Sequence, residues 1–186
     1  MAIAKIENGV ITEVLNYTDE IPDSNWLPVI PGHASYLPGF YHVGESTFTY
    51  DALRKTVTEN INLVPNDIES VRAAKLGFLA DYRWEQENGG TMFNGMPIPT
   101  DADTQRKILG AQVSVLIDPN YTINNWKVGF DTYITLNADL ITALSVQIRG
   151  HIQDCFDNSA AHSAAIMALT DPQAVIDYDF TTGWPS

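Results

Sequence analysis

Basic residues are scarce in this chain: ten Lys plus Arg stand against 23 Asp plus Glu in 186 residues, a formal net charge of −13. A nucleic-acid binder needs a basic surface to displace counterions from phosphate, and an anionic membrane surface makes a similar demand, so both are poor partners. Cysteine is nearly absent. Cys155 alone excludes an intrachain disulfide and a thiolate zinc cluster within one chain. No apolar run reaches the roughly 18 to 20 residues that span a bilayer, and "MAIAKIENGVITEV" lacks the long apolar core of a secretory signal. The expectation is a soluble protein made in a cytoplasm. Hydrophobic residues at 45% and aromatics at 10% are enough to build a core, and the length suits one or two small domains.

Signatures of chemistry are also missing. The glycines of "ENGGTMFNGMPIPTD", residues 87–101, spell neither GxxxxGK[ST] nor a GxGxxG that follows a strand, and no lysine stands where phosphates would need it. The Gly-x-Ser-x-Gly nucleophile elbow does not occur. Asp177 and Asp179 lack the glycine and closing glutamate of a calcium loop, so they read as a solvated turn. His151 and Cys155 are four residues apart, a spacing that suits a metal pair or a nucleophile and its base. Both lie on an apolar stripe, where a packed thiol and a satisfied histidine are the plainer reading. His162 reads as an ordinary helix residue, and His33 and His42 as loop residues. No carboxylate pair is singled out for acid–base work. Neither a catalytic set nor a metal or cofactor set is indicated, and the expectation is a protein that is not an enzyme.

The chain divides by pattern into a β-rich region over residues 1–53, a linker over 54–66 and a mainly helical domain over 67–186, an α+β architecture. Asn8-Gly9 joins two β-prone runs, a strong hairpin signal because both residues tolerate positive φ. From Ile21 to Gly44, prolines and glycines limit the chain to short strands and turns. "ESTFTYDAL" alternates like another strand, and Arg54 to Pro65 reads as a polar connection. After Pro65, Ile68, Val71, Lys75, Phe78, Leu79 and Tyr82 share one helical face, with Leu76, Ala80 and Trp84 on another; Asn88-Gly89-Gly90 is a helix stop. "TMF-NG-MPI" predicts a second hairpin. Thr100 is the expected N-cap of the next helix, with Asp103 three residues on and Leu109, Val113, Leu116 and Ile117 along its lining face. Residues 126–136 read as a strand pair or an irregular ribbon around Gly129. The stripe Leu136, Leu140, Ile141, Leu144, Ile148, Ile152, Cys155 and Phe156 marks a long helix, followed by a short Ala-rich one from Ala160 to Leu169.

Three segments, "YRWEQENGGTMFNGMPIPTDADTQRKILGA", "IDPNYTINNWKVGFDTYITLNADLITAL" and "HIQDCF", together resemble a domain of unknown function found at the C-terminus of bacteriophage tail proteins. The resemblance covers roughly residues 68 to 186 and ends in "GWP". The opening hairpin, the Pro-rich stretch and "VGESTFTY" are similar to the head of phage tail-fibre and tail-fibre-assembly proteins. What the resemblance implies is a tail-fibre assembly chaperone that binds the distal part of a trimeric fibre. It would act in the cytoplasm of the infected host and then in the virion tail. A structural fibre tip or adaptor is the alternative, and an envelope polysaccharide hydrolase a minor one. Trp26, Tyr36, Phe40 and Tyr41 are the candidate partner-binding anchors, set against the plainer reading that they fill their own domain's core.

Overall fold

The computed structural model describes residues 1–16, 22–128 and 131–185. It is a mixed α+β chain that divides into two compact units, Met1–Val71 and Arg72–Ser186. In the first unit, β1 (Ile3–Glu7) and β2 (Val10–Leu15) form the expected hairpin. Asn8 and Gly9 supply its turn at φ 53° and 78°, the positive values that a two-residue hairpin turn of the primed type requires. β3 (Trp26–Ile30), β5 (Thr47–Asp51) and β6 (Thr56–Asn60) complete a five-stranded sheet of order β2-β1-β3-β6-β5. β3 and β6 are parallel, and the other neighbours are antiparallel. The sheet curls until its edge strands β2 and β5 approach each other, enclosing Ala4, Val29 and Val57 with Ile11, Val14 and Phe48 packed against them. β4 (Tyr41–Val43) and β7 (Leu63–Pro65) make a separate ribbon.

β6 and β7 correct the reading of 54–66 as a linker. Residues 56–60, "TVTEN", look polar because a single side chain, Val57, enters the core while its neighbours are left on the solvated side. One buried residue per strand is too weak an alternation to recognise, yet β6 is an inner strand of the sheet. Ile21, where the Pro/Gly-rich reading begins, lies outside the described residues.

α1 (Ile68–Asn88) opens on the Asp67 carboxylate, which accepts the amides of Glu69 and Ser70 at 3.1 and 3.0 Å. In the second unit it leads through Gly90 to the hairpin β8 (Thr91–Phe93) and β9 (Met96–Ile98), turned by Asn94-Gly95 as the sequence predicts. α2 (Ala102–Ile117), the pair β10 (Ile123–Lys127) and β11 (Tyr133–Leu136), α3 (Ala138–Ala168) and α4 (Pro172–Asp177) follow. Gly129, the expected centre of the β10–β11 connection, lies outside the described residues. α2 packs on α3 around a core of Phe93, Ile98, Ile108, Ala111, Leu136, Ile141, Leu144 and Ile148.

Two further expectations are corrected here. The long helix and the Ala-rich helix are one element of 31 residues, because Asp157-Asn158-Ser159 contains neither Pro nor Gly and the buried stripe continues through His162 to Ile166. The cap of α2 is Asp101, not Thr100: its carboxylate accepts from the amides of Asp103 and Thr104.

Candidate interaction surface

Thr100 is free of the capping role because it is committed elsewhere. Fully buried, its Oγ1 donates to the Glu87 carbonyl at 2.6 Å and accepts the Gly90 amide at 3.0 Å. One hydroxyl thus satisfies a carbonyl near the end of α1 and the amide that begins the hairpin. Gly90 has φ +99°, and a Cβ there would meet the Ile98 carbonyl oxygen at 2.9 Å, so the approach needs glycine. Beside this joint lies an open cleft of about 430 Å³, walled by Met92, Pro97, Ile98, Pro99 and Val128. The glycines of residues 89–95 therefore shape the turn and the lip of this cleft.

α2 presents a different surface. Its inward side is Thr104, Ile108 and Ala111, while Leu109, Val113, Leu116 and Ile117 are 61, 49, 77 and 81% exposed. These four are the residues expected to line the core. The correction has a physical reason: Thr104 and Ala111 are small enough for α3 to approach closely, with Ile108 buried between the helices, and the greasier stripe is left outside. Between α2 and α3 runs a groove of about 330 Å³ that includes Gln105, Arg106, Leu109, Ser145 and Arg149. Arg149 donates from Nε to the Ser145 carbonyl at 3.2 Å, and Arg106 reaches Asp103 at 3.2 Å.

The family model of a domain of unknown function, DUF4376, matches residues 70–182, more than half of the chain. The chain belongs to that family. No curated protein and no solved structure matches it. The Thr100 joint, the cleft and the α2–α3 groove all fall inside the DUF4376 domain.

The two histidines and the cysteine of the DUF4376 domain are buried, and the His151 Nδ1 has no hydrogen-bond partner among the described residues. His151 Nε2 lies 3.0 Å from the Gln86 carbonyl oxygen, which can only accept, so Nε2 carries the ring proton. It cannot then receive the proton of the Cys155 thiol 3.8 Å away. Burial, followed by the charges of Glu87 and Asp154, pushes the Cys155 thiol above its usual range, the opposite of what a nucleophile needs. His162 donates from Nε2 to the Thr182 carbonyl at 3.0 Å and accepts the Tyr178 hydroxyl at Nδ1, 2.8 Å away. Its ring stacks on Trp184 with centroids 5.9 Å apart, and Tyr82 meets Phe180 and Trp184 at 5.7 and 5.4 Å. The C-terminal segment is thereby strapped across α1 and α3. Sequence periodicity gave no sign of this strap, because its partners are far apart along the chain.

Lys75 belongs to the same assembly: its Nζ donates to the Ile176 carbonyl at 2.7 Å, and burial lowers its pKa against the raising effect of Asp177 and Asp179. Asp179 is held below the usual carboxylate range, chiefly by the Thr181 hydroxyl and amide. Among the described residues no group of three or more His, Cys, Asp or Glu could hold a metal ion. No helix among them is long and apolar enough to cross a membrane.

The four aromatic anchors fall into two classes. Trp26 and Phe40 are buried within the first unit, whereas Tyr41 is half-buried and Tyr36 exposed. The structure keeps Tyr36 available for contact and commits Trp26 and Phe40 to packing.

Proposed function

We propose that this chain is a bacteriophage tail-fibre assembly chaperone that works by binding, without chemistry of its own. It covers the distal part of the trimeric fibre while that part folds in the infected cytoplasm, and it can stay on the fibre in the virion. The resemblance of the β-rich head and of the DUF4376 domain to phage tail proteins supports the class. The observation that carries the binding role is the exposed apolar stripe Leu109, Val113, Leu116 and Ile117 on a well-capped helix that already packs its other side. Isolated surface leucines are ordinary; a helical row of large apolar side chains is the usual mark of a protein contact. A fibre tip exposes β-edges and apolar surface until its three chains have closed, and a soluble partner of net charge −13 would cover them and resist aggregation.

Co-expression with a tail fibre from the same phage tests the reading. Soluble trimeric fibre should form only when this chain is present. Fibre that trimerises equally well alone, with this chain bound at its tip, would make it an adaptor, and reducing ends released from host envelope by the purified chain would make it a hydrolase.

A further inference from the structure

We infer that the α2–α3 groove is a docking site for an amphipathic helix of another protein, one that carries carboxylates beside its apolar row. This rests on the reading that the chain acts by binding a protein, and not on that protein being a fibre. The apolar determinant is spacing. Leu109, Val113 and Leu116 stand at i, i+4 and i+7 with Ile117 beside them, all exposed, and a partner helix lying along them would meet one residue per turn. From Arg106 to Ile117 the row is about 17 Å long at 1.5 Å per residue, so the partner needs about three turns.

The other determinant is charge. The chain as a whole carries −13, yet residues 104–117 of α2 and 140–153 of α3 contain Arg106, Lys107 and Arg149 and no carboxylate. Asp103, at the start of α2, pairs with Arg106 and Lys107. Arg149 bonds to a carbonyl of its own helix, and no ion pair joins it to a carboxylate among the described residues. Arg149 lines the same groove as Arg106 and Leu109, an arrangement that suits a carboxylate next to an apolar side chain. A second copy is the wrong occupant: a two-fold contact through this face would set Arg106 and Arg149 against themselves. Nucleic acid would leave four apolar side chains uncovered and would meet the repulsion of the whole molecule.

Two labelled peptides of about 16 residues test the inference on the full chain by fluorescence anisotropy. Both carry leucine at i, i+4, i+7 and i+11; one has glutamates flanking that row, and its twin has lysines at the same places. The general field of an acidic protein favours the lysine twin, so only the local groove can reverse the order. The glutamate peptide should bind about tenfold or more tightly than its twin. Arg106→Glu with Arg149→Glu should invert that preference, and Leu116→Glu, with circular dichroism unchanged, should weaken the glutamate peptide about tenfold. Equal binding of the two peptides, binding of neither, or binding unaffected by Leu116→Glu would overturn the inference. So would a dimer in sedimentation that Leu116→Glu dissociates, since a second copy would then own the face. The probes contain no fibre sequence. A fibre that fails to need this chain therefore leaves the peptide result standing, and a failed peptide result leaves the fibre experiment standing.

Discussion

The Thr100 hydroxyl accepts the Gly90 amide and donates to the Glu87 carbonyl in a site closed to solvent. Valine has nearly the same shape and makes neither bond, so Thr100→Val should leave a buried donor and acceptor unsatisfied and cost about 1–3 kcal/mol in urea unfolding. Thr100→Ser keeps the hydroxyl and should lose less. The neighbouring Asp101 gives a pH prediction. Its carboxyl is held below the usual range, first by the Thr104 amide and then by the Thr104 hydroxyl. A folded pKa below the unfolded one contributes stability that is whole above about pH 4 and is lost as pH falls through the folded value. Asn caps a helix about as well as Asp. Asp101→Asn should therefore match the parent in thermal melting at neutral pH and show a shallower loss of melting temperature on acidification; parallel acid limbs would remove Asp101 from the account.

α3 carries the element-scale prediction. Proline is accepted in the first turn of a helix but costs about 3 kcal/mol or more in the interior, where it removes an amide and strikes the carbonyl four residues back. Were the Ala-rich segment a separate helix, Ser159→Pro would sit at its start and be tolerated; in one continuous helix it should destabilise by that larger amount in chemical denaturation. Elements were legible from sequence where local chemistry decides them: both Asn-Gly hairpins, the Gly90 stop and the buried row through Ile141, Leu144 and Ile148. They were not legible where tertiary packing decides. Val57 alone commits β6 to the sheet interior, and α2 turns Ile108 and Ala111 inward although Leu109, Val113, Leu116 and Ile117 form its greasier face. Hydrophobic periodicity assumes that the greasiest side is the core side, and an element that holds apolar surface for a partner violates that assumption. The same inversion that misdirects the reading of the fold is what identifies the candidate surface.

At the scale of the molecule, the second unit has the means to fold by itself. Its core is drawn from β8 to α3, and the C-terminus of α3 is satisfied internally: Arg72 donates to the Met167 and Leu169 carbonyls, at 3.0 and 2.6 Å. The strap adds Trp184, whose Nε1 donates to the Phe180 carbonyl at 2.7 Å while its ring lies against His162 and Tyr82. Residues 67–186, begun at Asp67 to keep the α1 cap, should retain a helical circular dichroism spectrum and unfold in one cooperative transition. Trp184→Ala within that fragment should cost about 1–3 kcal/mol, through lost aromatic area and one lost hydrogen bond. The pairing of measurements separates two explanations of a weak fragment. If residues 67–186 melt without cooperativity, the second unit depends on the first. If they melt cooperatively and Trp184→Ala changes nothing, the strap lies on the domain without holding it, and the stability comes from the core between β8 and α3.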